Sequence, residues 1–341
     1  MQNWGTVIDT LSTRRAAMVL YHLPNADDIS FCMAADGSTR RQGEGFLVAD
    51  FEGNEYVIPN ELTSPPSREA AEAFPPLRGT TPAPVVSRSE YACHFSRAKA
   101  ELAAGRLAKV VLARTADVPL DAPLSPWRAF CAAVSAFPAL FTVLVHTPMN
   151  GTWLCSTPEL LLQGSGNKWE TMALAGTRPC SDAPWDAKNT REQAVVADYV
   201  HSVLTRHADA VQQDEVCNLN SGSIEHRCTR FRFTMAAAQR AELLSELPPT
   251  PAVSGFPVAA ARRYLNEQPD INRGLYAGYM GEWGQNSARL YVSLRCMQLF
   301  PDRCRLYAGG GIMPDSEEEA EWLETEAKCA AMRRVIDACQ A

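Results

Sequence analysis

The stretch LFTVLVHTPMNGTWLCSTPELLLQGSGNKWETMALAGT, from Leu140 to Thr177, decides the fold. Four β-rich runs follow one another in it: Leu140 to His146, Thr152 to Cys155, Leu160 to Gln163 and Thr171 to Ala173. Gly, Pro, Asn and Ser separate them, as between the strands of hairpins. No helical pattern intervenes, so strands and helices do not alternate as they do in a parallel, doubly wound sheet.

The same pairing of strands recurs outward from this stretch. Gly43 to Val48, Lys109 to Arg114, Phe231 to Phe233, Leu275 to Glu282, Arg289 to Phe300 and Cys304 to Ala308 read as further strands. Helices are expected at Pro126 to Ser135, Ala187 to Ala208, Ala236 to Ser245, Pro257 to Glu267 and Asp315 to Ala338. Ser87-Arg88-Ser89-Glu90 fits a capping box and predicts one more helix, ending near Gly105. The fold class is therefore α+β with antiparallel sheets. Seven prolines between Pro59 and Pro84 mark a surface connection. The 58 residues before it are too few for a comfortable core of their own. Residues 1–86 are thus expected to be the N-terminal part of the same fold, and 87–341 its main body.

Composition excludes several classes. Of 341 residues, 46% are hydrophobic and 21% charged, which is globular and neither disordered nor fibrous. A net charge of −7 disfavours nonspecific binding to nucleic acid or to anionic membranes. No run of about 18 apolar residues occurs, so no membrane span is expected. The opening Met-Gln-Asn-Trp-Gly lacks the basic start and apolar run of a signal peptide. The 11 cysteines are dispersed and contain no C-x-x-C pair, which argues against zinc or iron–sulfur sites and for reduced thiols in the cytoplasm.

Five segments carry groups with chemical potential. Lys109 heads a short strand; it is either a solvated edge lysine or a general base, and a lysine is a base only where burial or a second cation favours its neutral form. Glu159, in Ser156-Thr157-Pro158-Glu159-Leu160-Leu161-Leu162, is a turn carboxylate or a buried general acid. In Ala173-Leu174-Ala175-Gly176-Thr177-Arg178, Gly176 admits close backbone approach and Thr177 offers a hydroxyl; an ordinary turn is the alternative. Glu192 lies in the first turns of the helix that opens at Lys188-Asn189-Thr190-Arg191, where a solvated acid is also common. Finally, Tyr307-Ala308-Gly309-Gly310-Gly311-Ile312 precedes Glu321-Trp322-Leu323-Glu324-Thr325-Glu326-Ala327-Lys328. Glu321, Glu324 and Lys328 share one helix face, where two carboxylates a turn apart either bind Mg²⁺ or face water. His226 stands alone, and no nucleophile triad, P-loop or dinucleotide fingerprint is present.

Taken together and in this order, the segments resemble the chorismate-utilising enzymes. The resemblance runs from about Ser87 to Asp337. It also includes Pro249-Thr250-Pro251-Ala252-Val253, Arg273-Gly274-Leu275-Tyr276-Ala277-Gly278 and Ser293-Leu294-Arg295-Cys296. One departure is Leu247-Pro248-Pro249-Thr250-Pro251, where the family often reads Leu-His-Pro-Thr-Pro. The resemblance implies one α+β domain of two stacked antiparallel sheets flanked by helices, with residues 87–341 as the chorismate-binding catalytic core.

Its functional implications are specific. Lys109 stands where the water-using members have a lysine base and ammonia-using members have glutamine. Ala175 stands where aminodeoxychorismate synthases carry a nucleophilic lysine. Both imply water as the nucleophile, and the isochorismate synthases as the best-matching subgroup. Salicylate synthase, which goes on to eliminate pyruvate, is the rival, and a chorismate-binding paralogue without turnover is a third reading. In this picture Lys109 is the base and Glu159 the acid. Glu192 and Glu324 hold Mg²⁺, with Glu321 ligating through water. Arg295 and the Gly310 and Gly311 amides bind a substrate carboxylate. Lys328, Tyr276 and His226 line the pocket, and Thr177 orients substrate or water. The partner is the small molecule chorismate, with menaquinone synthesis expected as the pathway and a siderophore as the alternative.

Overall fold

The capping box at Ser87 forms: its side chain accepts from the Glu90 amide, and the Glu90 carboxylate accepts from the Ser87 amide. Helix α1 (Arg88–Ala103) therefore starts where the sequence places it. The computed structural model describes residues 17–34, 43–59, 85–222, 224–268 and 272–340. The other helices are α2 (Pro126–Ala136), α3 (Ala187–His207), α4 (Arg240–Glu246), α5 (Val258–Asn266) and α6 (Glu318–Gln340). The strands in the first half are β1 (Ala17–His22), β2 (Ile29–Ala34), β3 (Gly45–Ala49), β4 (Glu55–Ile58), β5 (Lys109–Pro119), β6 (Phe141–Thr147), β7 (Gly151–Thr157) and β8 (Leu160–Ser165). They are followed by β9 (Lys168–Pro179), β10 (Ala210–Gln213), β11 (Cys217–Ser221), β12 (Ile224–Thr234), β13 (Gly255–Phe256), β14 (Tyr279–Trp283), β15 (Ser287–Val292), β16 (Cys296–Leu299) and β17 (Arg303–Ile312).

Two antiparallel sheets result. One runs β13-β5-β17-β16-β7-β6-β1-β2, and the other β10-β12-β9-β8-β15-β14-β3-β4, with β11 also on β12. Their inner faces form one core. Phe141 of the first sheet stacks on Tyr291 of the second with ring centroids 4.2 Å apart, and Tyr21 meets Phe46 at 5.1 Å. The outer face of the first sheet buries Leu20, Leu144 and Leu154 against Phe130 of α2 and Met332 and Ile336 of α6. Tyr91 and Phe95 of α1 and Ala261 of α5 cover Val110 and Leu112 of β5. Val196, Val200 and Val203 of α3 join the cluster that contains Phe231 and Phe233 of the second sheet. Central strands are thus buried on both faces, which is why β6 carries adjacent apolar residues, Val143, Leu144 and Val145, instead of a strict alternation.

Three expectations are corrected. Arg289 to Phe300 is two strands in different sheets, because the chain crosses between sheets at Ser293–Arg295, where Arg295 takes φ +47°. Both pieces are apolar, so no break shows in the pattern. The strand from Leu275 begins only at Tyr279, since Gly274–Gly278 form a turn. The three glycines lie inside β17 rather than after it. The segment 17–58 supplies β1 and β2 to the first sheet and β3 and β4 to the second. Apart from Pro59, the proline-rich connection lies outside the described residues, as does the start of the chain. All eleven cysteines are free thiols, and no described helix is long and apolar enough to cross a membrane.

Candidate active site

The inner face of the first sheet's β5–β17 end, the turn before β14 and the start of α3 enclose one pocket with β9 and β12 of the second sheet. Eight of the twelve residues singled out in the sequence line it: Glu159, Thr177, Glu192, His226, Tyr276, Arg295, Gly311 and Lys328. Lys109, Gly310, Glu321 and Glu324 are not in its lining.

Lys109 is nevertheless part of the same constellation. It is wholly buried, and its Nζ lies 3.0 Å from Glu192 Oε1. The contact is an ion pair without the angles of a hydrogen bond, so among the described residues this ammonium nitrogen has no hydrogen-bonded partner. Gly311 makes the pair possible. A Cβ there would overlap Glu192 Oε1 and lie 3.0 Å from Lys109 Cε. Burial acts to raise the Glu192 carboxyl, but the Lys109 and Lys188 charges outweigh it and hold the group below its ordinary value. Successive strand residues face opposite ways. Gly309 and Gly311 thus face the pocket, while the Cβ position of Gly310 faces Glu321 and Thr325 of α6.

Glu159 sits in the short link between β7 and β8. Its carbonyl accepts from the Val292 amide at 3.0 Å, and its amide donates to Thr157 Oγ1 at 3.2 Å, so the backbone is fixed. Burial pushes its carboxyl up to about 8 against the lowering pull of Lys109 and Lys328. A carboxylic acid protonated at neutral pH and facing a pocket has the form a general acid needs.

Arg295 reaches the pocket from the crossing between sheets. Its Nη1 donates to the Ser221 carbonyl at 2.9 Å and to the Ser221 hydroxyl, and its Nη2 lies 2.8 Å from His226 Nε2. A guanidinium only donates, so His226 Nε2 is the acceptor and the ring proton is on Nδ1. That Nδ1–H has the Gly176 carbonyl and Thr177 Oγ1 within 3.1 Å. Burial, with the charges of Arg295 and Lys328, drives His226 well below the usual histidine value, which agrees with a neutral ring. Burial also lowers Arg295 to about 10, so it remains cationic at neutral pH. His226 thus aims Arg295. Tyr276 and Tyr307 stack at 6.0 Å along the opposite wall.

Lys328 donates to the Gly309 carbonyl at 2.8 Å and to Glu324 Oε1 at 2.7 Å. Glu321 Oε1 accepts from Ser316 Oγ at 2.6 Å and from Lys188 Nζ. Its Oε2 is buried with no protein partner among the described residues. Burial, then the charge of Glu324, raises the Glu321 carboxyl. The donor set of Glu192, Glu321 and Glu324 is all oxygen, and an orphaned buried carboxylate oxygen wants a cation; both suit a hard ion such as Mg²⁺. As they stand, no three such ligands among the described residues converge on one point. Each carboxylate instead has a lysine on one oxygen.

Ser221 lies outside the segments singled out in the sequence, whereas Lys188, Tyr307 and Gly309 lie within them without an assigned role. Lys188 had a visible signal, since it precedes Glu192 by one helical turn. Ser221 had none, because only strand pairing brings β11 beside His226.

The family model described as "Chorismate binding enzyme" matches residues 60–337. The chain belongs to that family. Among its relatives, the salicylate biosynthesis isochorismate synthase of Pseudomonas aeruginosa is 32% identical over 268 residues, which are 74% of this chain and 55% of that protein. The isochorismate synthase EntC of Escherichia coli is 29% identical over 256 residues, 71% of this chain and 65% of its own length. This chorismate-binding enzyme therefore spans less than two thirds of either relative. Its fold matches the structure of MenF, the menaquinone-specific isochorismate synthase from Escherichia coli, with a TM-score of 0.79 at 22% identity, covering 96% of this chain and 90% of that one. It also matches anthranilate synthase component I from Streptococcus pneumoniae, with a TM-score of 0.64, 18% identity and coverage of 95% and 85%.

Proposed function

We propose that this chain isomerises chorismate to isochorismate with Mg²⁺ bound. The observation that carries the reading is a buried Glu159, its carboxyl raised to about 8, in a pocket also lined by Glu192, the ion-pair partner of Lys109. The names of the relatives, isochorismate synthases in Pseudomonas aeruginosa and Escherichia coli, support it. So does Ala175, which lines the pocket with no amine at the position where aminodeoxychorismate synthases resemble one another in carrying lysine.

The reaction balances without any added reagent. A water oxygen bonds to carbon 2 of the ring, the double bonds shift, and the carbon 4–oxygen bond breaks. With its amine in the free-base form, Lys109 takes a proton from the attacking water and becomes the ammonium that pairs with Glu192. Glu159 gives one to the departing hydroxyl, which leaves as water. Solvent then takes the proton from Lys109 and returns one to Glu159. General acid–base catalysis by each residue is worth roughly 10²–10⁴-fold. The substrate is a dicarboxylate. Arg295, held by Ser221 and His226, presents a planar guanidinium for one carboxylate. Glu192, Glu321 and Glu324 would hold Mg²⁺, whose charge would stabilise the other carboxylate as electron density builds on it.

The test is incubation of the purified protein with chorismate, with and without Mg²⁺, followed by chromatography. Mg²⁺-dependent isochorismate in equilibrium with chorismate is the expected result. Salicylate with pyruvate would move the chain to the rival reading, and no consumption would overturn turnover altogether.

A further inference from the structure

The candidate metal site holds three lysines paired one to one with three glutamates. Lys109 pairs with Glu192, Lys188 with Glu321 and Lys328 with Glu324. The formal charges of this set cancel. Adding a divalent cation leaves an excess of two positive charges in a half-buried space, so one ammonium has to give way. The three are not equally free to do so. Lys109 is wholly enclosed. Lys328 is anchored twice, on Glu324 and on the Gly309 carbonyl. Lys188 is about as exposed as Lys328, at 20% against 22%, but among the described residues it is tied only to Glu321, so it has one anchor fewer.

Geometry sets Lys188 between Glu192 and Glu321. It shares a face of α3 with Glu192, one turn on, and reaches Glu321 on α6. Burial acts to lower this lysine, and Glu192, Glu321 and Glu324 together outweigh burial and raise it. Glu321 keeps its second oxygen buried and unpartnered, so its carboxylate has capacity for a further cation.

We propose that Lys188 is a tethered counter-ion of the Mg²⁺ site, holding the acidic cluster together in the metal-free protein and swinging to solvent when the metal enters. The inference rests on the Mg²⁺ reading above and adds a residue to it. A cluster of carboxylates without a cation is costly to bury. Lys188 offsets that cost, and as a competitor it weakens the affinity of the free protein for Mg²⁺.

Calorimetric titration with MgCl₂, in the absence of chorismate, tests this on the full chain. Lys188→Gln should bind Mg²⁺ at least about tenfold more tightly than the wild type, a difference of about 1.4 kcal/mol. Lys188→Arg, which keeps the charge, should bind like the wild type. Without metal, Lys188→Gln should melt lower than the wild type and recover on adding Mg²⁺. Equal or weaker binding by Lys188→Gln overturns the proposal and leaves the Mg²⁺ reading standing. If Lys188→Gln with Glu324→Gln still binds as tightly as Lys188→Gln alone, the metal lies elsewhere, and both the proposal and the reading of the site fall. A measurement on the wild type is independent of any variant's folding. Acetylation of Lys188 by acetic anhydride, read by mass spectrometry, should increase when Mg²⁺ is present without chorismate; unchanged or reduced labelling overturns the proposal.

Discussion

Glu192 Oε1 occupies the space in which a side chain at Gly311 would begin. The same oxygen is the one 3.0 Å from Lys109 Nζ. A glycine within a strand weakens it, and here, one residue from the end of β17, its missing side chain is what lets a carboxylate and a lysine meet against the backbone.

Gly311→Ala should therefore push Glu192 off Lys109. The expected outcome is a loss of turnover of about 10²-fold or more, the scale of one acid–base group. Overpacking should cost about 1–3 kcal/mol of stability. Steady-state assays and thermal melts check both, and a variant with wild-type turnover would show that the pair is not used.

Lys109→Ala should abolish turnover while the protein still binds chorismate. Equilibrium binding measured beside the assay separates the two. Retained turnover would remove Lys109 as the base.

Glu159→Gln should lower turnover by roughly 10²–10⁴-fold with the fold intact. In the wild type the rate should fall as pH rises through about 8, because the acid form of Glu159 is lost there. The same group links to stability. Its carboxyl titrates at the ordinary 4.5 when unfolded and at about 8 when folded. Between those values the folded chain holds a proton that the unfolded chain has released, so rising pH favours unfolding. This contribution is complete below 4.5 and gone above about 8. Melting curves of the wild type should show it, and those of Glu159→Gln should lack it.

His226→Asn should raise KM about tenfold, with kcat changed only a few-fold, because His226 acts through Arg295. Tenfold corresponds to about 1.4 kcal/mol, near the worth of one hydrogen bond to a charged group. A loss confined to kcat would instead place His226 at the reacting atoms.

Glu324→Gln should raise the Mg²⁺ concentration needed for half-maximal activity by about tenfold or more, as loss of one charged ligand implies. An unchanged metal dependence would remove Glu324 from the ligand set.

Much of the fold was legible because burial on one or both faces leaves a pattern in the chain. The hairpins from Leu140 to Thr177 are present as β6 to β9, and the capping box starts α1 at Arg88. The split of Arg289 to Phe300 was not legible. Tyr291 and Cys296 are both apolar and both buried, and nothing local says that one belongs to each sheet. Among the site residues, Glu192, Glu324 and Lys328 could be chosen by helical spacing and family resemblance. The pairing of Glu192 with Lys109, and of Glu321 with Lys188, joins parts of the chain far apart in sequence.

The sequence by itself determined the elements, the α+β class and the residue types available for chemistry, because propensity, capping and apolar period act over a few neighbouring residues. Only the tertiary structure decided which of those groups share an environment. Packing one sheet on the other places Glu159 out of water and raises it to about 8, sets Arg295 on His226, and lays Glu192 over Gly311 beside Lys109. Desolvation and Coulomb interaction depend on distance through space, and the chain's own order does not carry that distance.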